Sequence, residues 1–85
     1  MSSVLITEDG QVTEVHPADG KKFTLAELQQ YVKGRIELVA VKYVGKRRNA
    51  FVNEEGLLKG LKQNGVYPDF RGNILIIDNR HMNFL

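Results

Sequence analysis

Residues 23–45, FTLAELQQYVKGRIELVAVKYVG, pass from one periodicity to another within a few positions, and that change decides the fold class. The first half predicts a helix over 25–33. Thr24 followed three positions on by Glu27 makes a capping box, in which each side chain satisfies a free backbone N–H at the helix start. Phe23 before the cap and Leu28 four residues into the helix form a hydrophobic staple. Leu25, Leu28 and Val32 recur at i, i+3 and i+7 as an apolar stripe, and Gly34 supplies the stop. The second half, RIELVAVKYVG, is rich in β-branched and aromatic residues and predicts the longest strand. Both of its faces are apolar, with Ile36, Leu38, Ala40 and Val44 on one and Val39, Val41 and Tyr43 on the other. This pattern predicts a central strand, or one whose second face meets a partner.

Working outward, Val4–Thr7 and Gln11–Val15 flank EDGQ. Asp9-Gly10 between β-compatible runs predicts a hairpin with a type I′ turn, which needs positive φ at both central residues. HPADGKK, residues 16–22, breaks the pattern with Pro17 and Gly20 and predicts a loop. On the other side, Gly45 opens a turn and NAFVN, residues 49–53, returns as an antiparallel strand. GVYPDFRG, residues 65–72, is a loop interrupted by Pro68, and NILIID, residues 73–78, is short and apolar enough for a buried strand. The whole predicts an α+β chain in a single small domain, residues 1–85: a mostly antiparallel sheet of about five strands with one main helix packed on one face. Its parts are an N-terminal hairpin (1–16), the helix (25–33), a central hairpin (35–53) and a closing strand (73–78).

Composition narrows the function classes. A chain of 85 residues has a thin core, because small domains bury a smaller share of their surface. No apolar run reaches the roughly 18 residues a membrane span needs. The start, MSSVLITEDG, meets acids at once with no preceding basic segment, so no secretory signal and a cytoplasmic location are expected. The absence of cysteine excludes a disulfide framework, a thiolate nucleophile and a cysteine-ligated zinc. The net charge of +2 is too balanced to demand nucleic acid, but its distribution is uneven. Between Lys33 and Arg48 six basic residues face one acid, Glu37, a local charge of +5.

LAELQQYVKGRIELV, FVNEEGLLKGLKQNG and GNILIID together resemble a family of small uncharacterised domains found in phage, plasmid and bacterial genomes. That family shows a Leu-Glu-Leu-Gln helix, a Gly-x-Ile-Glu strand, an Asn-Glu-Glu-Gly corner, a Gly-Leu-x-x-Asn turn and a closing Gly-Asn strand. The likeness runs from about Leu25 to Asp78, and the corner is its most distinctive piece. It implies a compact α+β domain in a mobile-element setting and no particular reaction. This chain departs from the pattern at Arg35, where many relatives carry an aromatic, and in the unusually basic GKRRN.

The densest polar stretch, FVNEEGLLKGLKQNG (51–65), invites a catalytic reading that its spacing does not support. Adjacent Glu54 and Glu55 would point to opposite faces of a strand or diverge by about 100° on a helix, so they do not converge as paired acids must. The ligand alternation of a calcium or magnesium loop is missing. The structural expectation is that Asn53 caps a turn, Glu54 and Glu55 sit at the positive end of a helical turn, and Gly56 is left-handed. Leu57, Leu58 and Leu61 are expected to fill the core. GLLKGLKQNG lacks the order of a phosphate loop, although its amides could form a local nest. His16 and His81 have no serine, cysteine or histidine at a recognisable spacing and are expected to be exposed.

KYVGKRRNAF, residues 42–51, carries the clearest functional signal. It places Lys42, Lys46, Arg47 and Arg48 on or beside a hairpin with Tyr43 and Phe51 near, and Arg35 adds to the same basic stretch. Such a ribbon suits phosphates or an acidic protein surface, and its charges also discourage edge-to-edge aggregation. The tail HMNFL ends in Met82, Phe84 and Leu85, which can dock on the sheet or pair with a second copy. The expectation is therefore a non-catalytic binding module of a mobile element, with no cofactor or metal, docking on a host or self-encoded protein or on itself. The first alternative is a nucleic-acid binder using the hairpin 42–48. A further one is a small-ligand or nucleotide site around Asn53, Glu54, Glu55 and Asn64.

Overall fold

The computed structural model describes residues 2–82. The strands are β1 (Ser3–Ile6), β2 (Val12–Val15), β3 (Ile36–Tyr43), β4 (Lys46–Asn53) and β5 (Ile74–Ile76); helix α1 spans Leu25–Val32 and a 3₁₀ turn spans Asn79–His81. All five strands form one antiparallel sheet in the order β2-β1-β5-β4-β3. The strand in the middle is the last of these five in sequence. Ile74, Leu75 and Ile76 are all fully buried, as an unbroken apolar run must be when both of its faces are covered. β5 pairs with β1 through Val4↔Ile76 and with β4 through Ala50↔Ile76, so it bridges the N-terminal and central hairpins.

β3 therefore lies at an edge, not at the centre. Its two apolar faces have another cause, because the sheet is covered on both sides. On one face Phe23, Leu28, Val32, Phe51, Leu75, Ile77 and Met82 cluster under α1, with Ile36 packed against them. On the other, Ile6, Val41, Ala50, Val52, Ile74 and Ile76 form a second cluster, flanked by Val39 and Tyr43 of β3. Tyr67 and Phe70 close that side. The stretch 54–73 thus supplies the second layer, although it holds no regular element besides a single bridge between Gln63 and Arg71.

The helix starts as its sequence dictates. Thr24 Oγ1 accepts from the N–H of Glu27 at 3.1 Å, and Glu27 Oε1 accepts from the N–H of Thr24 at 2.9 Å. Glu27 Oε2 also accepts from the N–H of Ala18, and these backbone bonds hold its carboxyl below the usual range. The buried positions are Leu28 and Val32 with Tyr31 half-buried beside them, while Leu25 at the first turn faces solvent. The left-handed residue that ends the helix is Lys33 (φ 64) rather than Gly34. Gly34 is needed for closeness, since a Cβ there would stand 2.7 Å from Asn53 Nδ2.

The type I′ turn expected at the first hairpin is found at the second instead. At the first, Gly10 (φ 90) follows Glu8 and Asp9, neither of which has positive φ, and the Gly10 N–H donates to the carbonyl of Thr7. At the second, Tyr43 pairs with Lys46 across a two-residue turn in which Val44 (φ 50) and Gly45 (φ 75) are both left-handed, the type I′ geometry. Val44 is a β-branched residue in a region such residues avoid, and it is 82% exposed. Among the described residues no helix is long and apolar enough to cross a membrane.

Candidate functional site

The β3–β4 hairpin carries the basic residues that the sequence singles out, and strand alternation distributes them over two faces. Lys46 and Arg48 lie opposite Tyr43 and Val41, on the side covered by residues 54–73. Lys42 and Arg47 face each other on the helix side. Arg35 precedes the other end of β3, some seven residues and about 23 Å of extended chain from Lys42. The five cations do not form one patch. Four of them surround the hairpin tip and Arg35 does not join them.

Around the tip the sheet has a notch. β4 pairs with β5 only at Ala50 and Phe51, with one more bond from the Ile77 N–H to the Asn49 carbonyl, so Lys46–Arg48 run on past the neighbouring strand. A cavity of about 350 Å³ opens there, lined by Ser2, Val4, Tyr43, Val44, Lys46 and Arg48. Against it lies a second, of about 300 Å³, lined by Lys46, Arg47, Arg48, Asn49, Asp78 and Asn79. Arg48 is half-buried and held in place: its Nη2 donates to the Ser2 carbonyl at 2.9 Å, and its guanidinium lies 5.9 Å from the centre of the Tyr43 ring. Lys46 and Arg47 are exposed and make no ion pair among the described residues.

The outer edge of β3 is the second feature. In a hairpin closed by a two-residue turn, the pair flanking the turn exchanges both backbone bonds, and bonded pairs then alternate. The N–H and C=O groups of Tyr43, Val41, Val39 and Glu37 consequently point to β4. Those of Lys42, Ala40, Leu38 and Ile36 point outward. Tyr67 Oη donates to the outward carbonyl of Lys42 at 2.6 Å, and burial raises the phenol's pKa. Among the described residues the run Ile36–Ala40 has no such cover, and on it Leu38 is 45% exposed and Ala40 is exposed.

The Asn-Glu-Glu-Gly corner is structural. Asn53 is buried; its Nδ2 donates to the carbonyls of Val32 and Lys33, closing the end of α1, and its Oδ1 accepts from the N–H of Glu55. Glu54 is exposed, and Glu55 lies 3.8 Å from Lys59. Gly56 is not left-handed, contrary to expectation. It is small because a Cβ would come within 3.0 Å of the Arg71 carbonyl. Asn64 is 1% exposed and fully engaged: Nδ2 donates to the carbonyls of Ile6, Thr7 and Gly72, and Oδ1 accepts from the N–H groups of Val66 and Tyr67. A shallow cleft of about 200 Å³ includes Asn53, Glu54 and Leu57 but not Asn64. The four corner residues are therefore not gathered round one space.

Leu57 and Leu58 do not fill the core; they are 73% and 88% exposed on the turn between Gly56 and Gly60. His16 is exposed beside Glu14, as expected. His81 is not: its Nδ1 lies 2.9 Å from the hydroxyl of fully buried Ser3, and its ring meets Phe23 edge-on. Ser3 Oγ also accepts from the N–H of Asp78, so the pair ties β1 to the 3₁₀ turn after β5. The Asp78 carboxylate turns away to Arg80, which makes the group a tie and not a triad. Met82 docks into the core under α1, while Phe84 and Leu85 lie outside the described residues. Sequence reasoning missed Ser2, Val4 and Tyr67, since the sheet order that brings them to the hairpin leaves no local signal.

The chain belongs to a family described as a domain of unknown function (DUF3846), whose model matches residues 1–84. No curated protein and no solved structure was found to match it.

Proposed function

We propose that this chain is a non-catalytic binding module that takes up an extended segment of a protein partner along the outer edge of β3. The observation behind this reading is the uncovered run Ile36–Ala40, with outward backbone groups and an exposed Leu38 in their midst. α1 has eight residues, about 12 Å, against about 26 Å for the eight residues of β3, so the helix leaves the tipward part of that face uncovered. Edge strands of this length and polarity are ordinarily blunted by charge, proline or a covering loop. Here Tyr67 guards only the Lys42 end. Strand addition uses main-chain bonds for affinity and alternate side-chain contacts, such as Leu38, for selection.

The test is Ala40→Pro. The N–H of Ala40 faces outward, so proline there spares the β3–β4 ladder while removing a donor and obstructing the edge. Sedimentation of the purified chain and affinity capture from a cell lysate are each run with both forms. A partner, or a second copy, held by the parent chain and lost with Ala40→Pro while the melting profile is kept supports the reading. Capture that is indifferent to the substitution, or a monomer that captures nothing, refutes it.

A further inference from the structure

The notch at the hairpin tip has a chemistry that strand docking does not use. We infer that it is a binding site for a nucleotide, the phosphate lying against Lys46 and Arg48 and the base against Tyr43. Four observations converge on it. First, Lys46 and Arg48 are two positions apart on one strand, so their side chains leave the same face and enter the same cavity of about 350 Å³. Second, among the described residues no acid forms an ion pair with either one, and the side-chain hydrogen bond of Arg48 goes to the Ser2 carbonyl. Two uncompensated cations converging in a recess favour an anion there. Third, alternation of the ladder points the backbone N–H of Arg47 away from β3, on the side of the adjoining cavity of about 300 Å³ that Arg47 lines together with Lys46 and Arg48. Fourth, the remaining walls are Ser2, Val4, Tyr43 and Val44, so beside its cations the recess offers an apolar and aromatic surface that suits a base.

Size agrees with this chemistry, because cavities of about 300 Å³ and above are the range that holds small ligands. Arg48 is pre-positioned by the Ser2 carbonyl and by the Tyr43 ring, which lowers the ordering cost of its contact with a phosphate. Stacking on Tyr43 tolerates any base, so the site selects for a base joined to a phosphate and not for a sequence. That unit occurs both in a free mononucleotide and in an unpaired nucleic-acid strand. The inference is independent of the docking edge, which uses Ile36, Leu38 and Ala40.

The test is a titration of the isotope-labelled chain, followed through its amide resonances. The probes are adenosine 5′-monophosphate, adenosine, inorganic phosphate and single-stranded octathymidylate, at matched ionic strength. The expected result is saturable binding of the monophosphate that shifts Val4, Tyr43 and Lys46–Arg48. It should be at least about tenfold tighter than adenosine or phosphate alone, the contribution expected of one stacked base or one anchored phosphate. Lys46→Glu, at an exposed side chain that holds nothing in place, should abolish it, and Tyr43→Leu should reduce it to the level of phosphate. Octathymidylate displacing the monophosphate at lower concentration assigns the site to a strand, and the reverse order assigns it to the free nucleotide. Phosphate matching the monophosphate, shifts spread equally over Lys21, Lys22 and Lys33, or indifference to Lys46→Glu would overturn the inference.

Discussion

Tyr67 Oη donates to the carbonyl oxygen of Lys42 across 2.6 Å, joining a loop residue on one face of the sheet to the open edge of its outermost strand. The bond fixes where the edge ends. Beyond it toward the helix junction, the outward groups of Ala40, Leu38 and Ile36 have no comparable guard among the described residues. The loop that closes the second core layer thus also sets the length of edge available to a partner.

Tyr67→Phe removes that bond and keeps the ring in its cluster. Stability should fall by about 1 kcal/mol, the usual net worth of a neutral hydrogen bond, read from the urea midpoint. Amide exchange at Lys42 and Ala40 should quicken more than at Val39, whose N–H faces β4. Equal quickening at all three would contradict the alternation on which the edge rests.

Asn64→Ala leaves three carbonyls and two N–H groups without their side-chain partner in a site that is 1% exposed. The expected loss is about 3 kcal/mol or more. Asn64→Asp keeps the acceptor and sets a carboxylate against the carbonyls of Ile6, Thr7 and Gly72, which should be worse at neutral pH. Thermal melts should then show the aspartate form recovering on acidification, when the carboxyl gains a proton to donate. No recovery would mean that the donor half of the amide is unimportant.

Val44→Asn should stabilise the chain by about 1 kcal/mol. Asparagine tolerates positive φ where valine does not, and little packing is lost at a side chain 82% exposed. Denaturant unfolding decides it, and a fall in stability would place the strain elsewhere. The same substitution should leave edge binding intact, since Val44 lies outside Ile36–Ala40.

Arg80 grips the Asp78 carboxylate through Nε at 3.1 Å and Nη2 at 2.7 Å, and with its own N–H lowers the carboxyl's pKa from 3.8 to about 2. Because the folded value is the lower one, the stabilisation is full above the unfolded pKa and disappears as the pH falls from about 4 through 2. The Arg80 end is exposed, so solvent reduces the effect to about 1–2 kcal/mol. The stability gap between the parent chain and Asp78→Asn, measured by urea unfolding, should be constant near neutrality and close below about pH 2. A gap unchanged across that window would sink this account of Asp78.

The parts of the fold that were legible are those whose causes are local. Thr24 and Glu27 make the predicted reciprocal bonds, because a capping box needs no tertiary partner. The five-strand antiparallel sheet with one helix follows from period alone. The position of β3 was not legible, because a strand covered by a helix and a loop has the same two apolar faces as a central one. What covers it is Tyr67 and Phe70, from a segment that Pro68 marks as irregular. Leu57 and Leu58 read as core residues from their apolar character, but the backbone bonds Lys59 N–H to Glu55, Gly60 N–H to Leu57 and Leu61 N–H to Gly56 close a turn that holds them outside. The splitting of Lys46 and Arg48 from Lys42 and Arg47 was implicit in strand alternation. The recess beside them was not, since it depends on how short β5 is.

The sheet order has a consequence for how the molecule is made. Both hairpins are local in sequence, yet β1 and β4 never touch as neighbours; each pairs with β5, which enters only at Ile74. During synthesis the chain can form two separate hairpins, but neither hydrophobic cluster can close until Ile74–Ile77 have left the ribosome. Topology of this kind raises contact order and slows folding. Ile74–Ile76 thus act as the keystone, and a chain stopped short of Ile74 keeps two hairpins with nothing to join them.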